Sequence, residues 1–209
     1  MAVALGAAIL PLAVSAGTWS TTAQYGTYTL GNYVIANDVW GSGAQSQTLY
    51  VNTSSASAPN FWVNTTQTGG GVKSYPHAQR NLNQSMKTAS ETGHWSNSGT
   101  TGCYDYAFDV WLPSEIMVWT QWGGGAGPWG SLYQSNVSIG GTTYNVYQPG
   151  GYWSFLKTSQ ASSGSCNLGA IYQWLVNNNK LGNNTVGSVQ YGVEITNGSG
   201  WWTINSCSF

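Results

Sequence analysis

Apolar and polar positions alternate along most of this chain with a period of two, in short runs that end at clusters of Gly, Asn and Ser. Runs at 25–30, 33–37, 48–52, 61–66, 106–112, 115–120, 144–147, 153–157, 189–196 and 201–205 are rich in Val, Ile, Tyr, Trp and Thr. Those residues fit a pleated, half-buried surface, so each run predicts a strand. Many short strands with turn residues between them predict an all-β sandwich or jelly roll. One stretch, 167–180, has helical spacing instead: Leu168, Ile171, Tyr172 and Leu175 fall at i, i+3, i+4 and i+7, with Gly182 as a stop beyond it. No internal repeat or linker divides the chain, so 17–209 reads as a single domain.

The segment from Phe108 to Trp119 is two alternating runs around Leu112, Pro113 and Ser114. A three-residue connection pairs Trp111 with Glu115 and Asp109 with Met117. Asp109, Trp111, Glu115, Met117 and Trp119 then share one face, and Phe108, Val110, Ile116 and Val118 the other. A two-residue connection would put Asp109 among the apolar side chains, and burying an unpaired carboxylate opposes that register. Further on, Tyr191, Val193 and Ile195 alternate with Gln190, Glu194 and Thr196, which sets Glu194 on a polar face as well.

Composition narrows the chemistry. Only 5% of the residues are charged, and the six carboxylates are Asp38, Glu91, Asp105, Asp109, Glu115 and Glu194. Five scattered basic residues provide no stripe for a phosphate backbone, which argues against nucleic acid as a partner. With 12 Trp and 13 Tyr on a background of Gly, Ser, Thr and Asn, the surface suits a neutral polyhydroxylated ligand, that is, sugar. Three cysteines, Cys103, Cys166 and Cys207, permit at most one internal disulfide. They and two histidines match no metal-ligand spacing, so neither metal nor cofactor is expected. Residues 1–16 form an apolar run ending in Val14-Ser15-Ala16, the pattern of a secretory leader, and place the protein outside the cell. No stretch reaches the length of a membrane span, and a monomer is expected. Six Asn-x-Ser/Thr sequons begin at Asn52, Asn64, Asn83, Asn136, Asn183 and Asn197.

Two glutamates on polar strand faces with aromatics nearby are what glycoside hydrolysis requires, one to attack the anomeric carbon and one to protonate the leaving oxygen. The chain also resembles glycoside hydrolase family 12, the endoglucanases and xyloglucanases, from about Gln24 onward. The resemblance rests on Gln24-Tyr25-Gly26, Asn37-Asp38-Val39-Trp40-Gly41, Val72-Lys73-Ser74-Tyr75-Pro76, Phe108-Asp109-Val110-Trp111, Glu115-Ile116-Met117-Val118-Trp119, Gly127-Pro128-Trp129-Gly130 and Gly192-Val193-Glu194, in that order.

That resemblance implies a jelly roll of two stacked antiparallel sheets, with one helix on the convex side and an open concave cleft that cleaves a β-1,4-glucan internally with retention. It implies Glu115 as nucleophile, Glu194 as acid/base and Asp109 as the partner of Glu115. Substrate contacts are expected from Asn37, Asp38, Trp40, Met117, Pro128 and Trp129, with Trp40 in the glycone half and Pro128 and Trp129 on the aglycone side. Three departures stand out. Asp38 replaces a common Asn, no cysteine precedes Cys103 to form the family's N-terminal disulfide, and the connection from Asp109 to Glu115 is short, which opens that side of the cleft. A non-catalytic carbohydrate-binding sandwich, or a xylanase of the related jelly-roll family, are the rival readings; preference among cellulose, mixed-linkage glucan and xyloglucan rests on loop shape.

Overall fold

The computed structural model describes residues 17–99 and 101–209; the leader expected over 1–16 lies outside them. In chain order the elements are β1 (Thr18–Thr21), β2 (Thr27–Leu30), β3 (Tyr33–Ala36), β4 (Ala44–Asn52), β5 (Phe61–Gln67), β6 (His77–Ser85), β7 (Thr92–Ser98), β8 (Cys103–Trp111) and β9 (Glu115–Gly123). They continue with β10 (Ser131–Ile139), β11 (Thr142–Gln148), β12 (Trp153–Lys157), β13 (Ser163–Asn167), α1 (Leu168–Asn177) and β14 (Thr185–Ser208).

Two sheets form a sandwich. The front sheet runs β2-β3-β6-β14-β8-β9-β12-β11-β10, and the back sheet β1-β4-β5-β14-β7-β13. All these pairings are antiparallel except β9 with β12, which is parallel. Strand β14 belongs to both sheets: its first half pairs with β6 and β8, its second with β5 and β7. The sequence separates these halves at 197–200, because Gly198 and Gly200 interrupt the apolar run. The backbone instead passes from one sheet to the other there, with both glycines at positive φ (134° and 142°) and a register shift between Ile195 and Asn197.

Alternation then does what a sandwich demands. Phe108, Val110, Ile116, Val118, Tyr191, Val193 and Ile195 face inward from the front sheet, against Leu49, Val51, Phe61, Val63, Trp202 and Ile204 of the back sheet. Phe108 lies at the centre, its ring centroid 4.4 Å from Tyr191 and edge-on to Trp95 and Phe209. Each fully buried side chain of this size contributes ~1.5–3 kcal/mol. The buried Tyr191 hydroxyl is satisfied inside the core: Tyr191 Oη bonds Thr120 Oγ1 and accepts from Asn97 Nδ2, at 3.1 and 2.9 Å.

Helix α1 packs behind the front sheet, on the side away from the cleft. Asn167 caps it, its side chain accepting from Ala170 N at 2.8 Å. Leu168, Ile171, Tyr172 and Leu175 enter the core, and Trp174 meets Phe155 edge-on at 5.8 Å. The helix stops earlier than Gly182 suggests. Asn179 takes the left-handed conformation (φ 54°) and Lys180 N donates back to Leu175 O at 2.8 Å, so an asparagine supplies the C-terminal turn. All three cysteines are free thiols, Cys166 and Cys207 buried in the core.

Candidate active site

The cleft floor is the outward face of β6, β14, β8 and β9. The hairpin β8–β9 has the register of a three-residue connection, with Trp111 opposite Glu115 and Asp109 opposite Met117; Leu112 N donates to Ser114 O across it at 3.0 Å. Strand β14 lies on the other side of β8, with Gln190 opposite Asp109 and Glu194 opposite Asp105. Strand parity therefore gathers Asp105, Asp109, Glu115 and Glu194 on one surface.

These carboxyls form two hydrogen-bonded pairs. Asp109, 4% exposed, bonds Glu115 diagonally, and Asp105 bonds Glu194 directly across the strands. Burial and the neighbouring negative charges hold Asp105 and Asp109 well above the usual carboxylate range, so each keeps its proton and donates it to its glutamate. Burial raises Glu115, and the bond from Asp109 opposes that rise. Glu194 is pushed up to about 7, first by burial and then by the charge of Glu115, against the lowering bond from Asp105. The bond from Asp109 thus favours the ionised form of Glu115, while Glu194 holds its proton up to about 7.

A strap from Gly71 to His77 frames one wall. Ile195 N donates to Ser74 O and Lys73 N to Ile195 O, which fastens the strap along β14 next to Glu194. Segment 38–41 pairs with the strap in turn, through Tyr75 N to Asp38 O (2.9 Å) and Trp40 N to Lys73 O (3.0 Å). Buried Lys73 Nζ ties the two loops together by donating to Ser42 O and Gly70 O. Trp40 projects from this assembly with 44% of its surface exposed.

Two cavities of about 450 Å³ meet at the glutamates. One is lined by Asp38, Trp40, Tyr75, Asp109, Trp111, Glu115, Gln190 and Glu194. The other, between the glutamates and the 125–129 loop, includes Asp105, Trp119, Trp129 and Tyr152. Asp38, at positive φ (44°), lies 3.5 Å from His77 Nδ1. That imidazole donates to Tyr75 O, and burial drives it down to about 4, so it is neutral and leaves the Asp38 charge uncompensated.

Of the expected substrate contacts, Asp38, Trp40 and Trp129 line the cavities, and Trp129, 69% exposed, leans on Tyr152 at 6.0 Å. Met117 is on the cleft face two residues from Glu115 but is covered, its sulfur accepting from Tyr152 Oη at 2.6 Å. Pro128 is half-buried and outside the lining. Asn37 is a correction: it is 0% exposed, its Nδ2 donating to Ala23 O and its Oδ1 accepting from Gln47 Nε2, so it braces the 23–26 turn and lines neither of these two cavities. Four residues not assigned from the sequence belong to the site: Asp105, Trp111, Tyr152 and Gln190. Asp105 has the strand parity of Asp109, which is the signal that would have found it.

Comparison with known proteins agrees with this geometry. No family model matches the chain. A xyloglucan-specific endo-β-1,4-glucanase A of Emericella nidulans is 31% identical over 200 residues, covering 84% of each chain, and one of Aspergillus aculeatus is 32% identical over 180 residues, covering 74% of each. The xyloglucanase domain of NopAA from Sinorhizobium fredii, solved with cellobiose, superposes with a TM-score of 0.81 at 32% identity, over 91% of this chain and 97% of that one. The chain belongs to glycoside hydrolase family 12. Another structure of this family 12 fold, Trichoderma harzianum endoglucanase 3, has a TM-score of 0.84 at 27% identity, over 92% of this chain and 97% of that one. The two-sheet jelly roll with an open cleft and a helix behind it is therefore the family 12 architecture.

Proposed function

We propose that this family 12 chain is a secreted, endo-acting β-1,4-glucanase that cleaves xyloglucan or a related β-glucan with retention of configuration. Glu115 is the nucleophile, Glu194 the general acid/base and Asp109 the positioning partner of Glu115. The observation that carries this reading is the pair of glutamates on one concave face with protonation states pushed apart, Glu194 being held near 7 while the Asp109 proton favours ionised Glu115. Cavities extend to either side of the two glutamates, as binding on both sides of an internal bond of a polymer requires. Two half-exposed tryptophans, Trp40 and Trp111, offer ring faces in its glycone half, and Trp129 offers one on the aglycone side. The NopAA neighbour with cellobiose and the names of the curated relatives support a β-glucan as substrate.

The steps follow from the two states. Ionised Glu115 attacks the anomeric carbon while Glu194 gives its proton to the departing oxygen. Forming the ester removes the Glu115 charge, which lowers the affinity of Glu194 for a proton. Glu194 then takes one from water, whose oxygen attacks the same carbon and frees Glu115. Activity is bell-shaped in pH: the acid limb follows protonation of Glu115, and the alkaline limb, near 7, loss of the Glu194 proton.

Proton NMR of the first product of xyloglucan cleavage tests the stereochemistry, the β-anomer being expected and the α-anomer refuting retention. Azide assigns the glutamates. Glu115→Ala should regain activity and give an α-glycosyl azide, and Glu194→Ala a β-azide; the reverse pattern would exchange their roles.

A further inference from the structure

The back sheet turns a second aromatic surface to solvent, on the side of the sandwich away from the cleft. In β4, β5 and β14 the side chains of Leu49, Val63 and Trp202 enter the core, so their neighbours Tyr50, Trp62 and Trp201 point outward. Tyr50 and Trp62 are directly paired, with ring centroids 5.7 Å apart and planes within 6°; Trp201 adjoins Tyr50 at 5.8 Å and is 51% exposed. The solvated face of an antiparallel sheet is ordinarily polar, and contiguous exposed rings mark a binding surface.

What surrounds the rings selects the partner. None of the chain's 11 Asp, Glu, Lys and Arg residues stands on the outward face of this sheet; around the rings it carries hydroxyls and amides such as Asn64, Thr66 and Ser199. Thr66 and Ser199 hydroxyls bond one another across β5 and β14 at 3.0 Å. An ionic partner finds no counter-charge here. A neutral polyhydroxylated chain finds the combination the cleft also uses, aromatic rings beside uncharged hydrogen-bonding groups.

We propose that the outward face of β4, β5 and β14, centred on Trp201, is a second, non-catalytic site for a neutral β-glucan chain, which holds polymer on the enzyme while the cleft works. The choice of glucan rests on the function proposed above. Two sites on opposite faces engage two segments of one long chain, or neighbouring chains, and the linkage raises the effective concentration of substrate at the cleft. Asn64 faces this surface opposite Trp201 and opens a sequon, so a glycan there would cover it.

The test uses protein from a host that adds no N-glycan. In a Glu115→Gln background, retardation in native gels containing soluble xyloglucan is compared with and without Trp201→Ala, alone and combined with Trp40→Ala, which removes a ring from the cleft. Retardation should persist in the Trp40→Ala protein and fall about tenfold in apparent affinity when Trp201→Ala is added, on the scale of one stacking contact. With Glu115 intact, Trp201→Ala should leave kcat/KM on a short chromogenic cello-oligosaccharide and the melting temperature unchanged. Equal retardation of both proteins overturns the second site. So does a parallel fall in melting temperature and short-substrate activity, the sign of a purely structural cluster, or loss of self-association alone in sedimentation. Failure of the wild type to cleave any β-glucan removes the functional reading itself; cleavage without Trp201-dependent retardation removes only the second site.

Discussion

Gly192 stands between Gln190 and Glu194 on the cleft side of β14, where a side chain has no room. A methyl group there would meet the Pro76 carbonyl oxygen at 2.3 Å and His77 Cβ at 2.7 Å, whereas ordinary contact begins near 3.4 Å. Gly192→Ala therefore forces strap and strand about 1 Å apart, at the point where Val193 N donates to Pro76 O (3.2 Å) and Ile195 N to Ser74 O (3.0 Å). Overpacking of this kind costs ~1–3 kcal/mol, which at this chain length lowers the melting temperature by roughly 2 to 12 °C. The loss of activity is disproportionate, because the displaced groups are Glu194 on one side and, through Tyr75 N to Asp38 O, the Trp40 segment on the other. A misplacement of 1 Å at reacting groups costs about 100-fold in rate. The assay is kcat/KM on soluble xyloglucan beside a thermal melt, with Gly187→Ala as control, since a methyl there meets only Trp111 O at 3.4 Å. A Gly192→Ala protein with wild-type kcat/KM, or with an activity loss no larger than that of Gly187→Ala, would refute the reasoning.

Asp105→Ala removes the bond that lowers the Glu194 pKa, so the alkaline limb of the kcat/KM profile should move above pH 7, and a limb that stays or falls would deny that coupling. Asp109→Asn keeps the shape but replaces the proton shared with Glu115; turnover should fall with little change in melting temperature, and wild-type turnover would leave Asp109 no role at the proposed nucleophile. Trp40→Ala should weaken oligosaccharide binding by ~1–3 kcal/mol, the scale of stacking on an exposed aromatic; an unfolded product would instead assign the indole to the core.

Much of this arrangement is written in strand parity. The β8–β9 register is legible because a one-residue slip would bury Asp109 among Phe108 and Val110, and one register alone avoids that. Strands such as β6, with sequence HAQRNLNQS, and β10, with sequence SLYQSNVSI, escaped for the opposite reason. Polar residues outnumber apolar ones in both, and β10 is an edge strand exposed over its first six residues, so no apolar face is needed to hold it. Asn37 misled because proximity in sequence to Asp38 and Trp40 says nothing of direction: the backbone turns at Asp38, and the amide before the turn points inward. The strap and the Asp38 segment meet through backbone bonds between distant residues, which leave no periodic trace in sequence.

Strand β14 has a consequence for how the molecule is made. It pairs with β5, β6, β7 and β8, all of which precede it, and Gly192 alone joins His77 to Ala107 across it. Loop closures of that length must come before most of the native contacts reward them, which places folding in the millisecond-to-second range typical of β-sandwiches. During synthesis the earlier strands wait with open edges until residues 185–208 emerge, and both sheets then close on a single event. Since Glu194, the proposed acid/base, lies on that strand, a chain that has not finished folding lacks it, and on that assignment activity appears together with the fold.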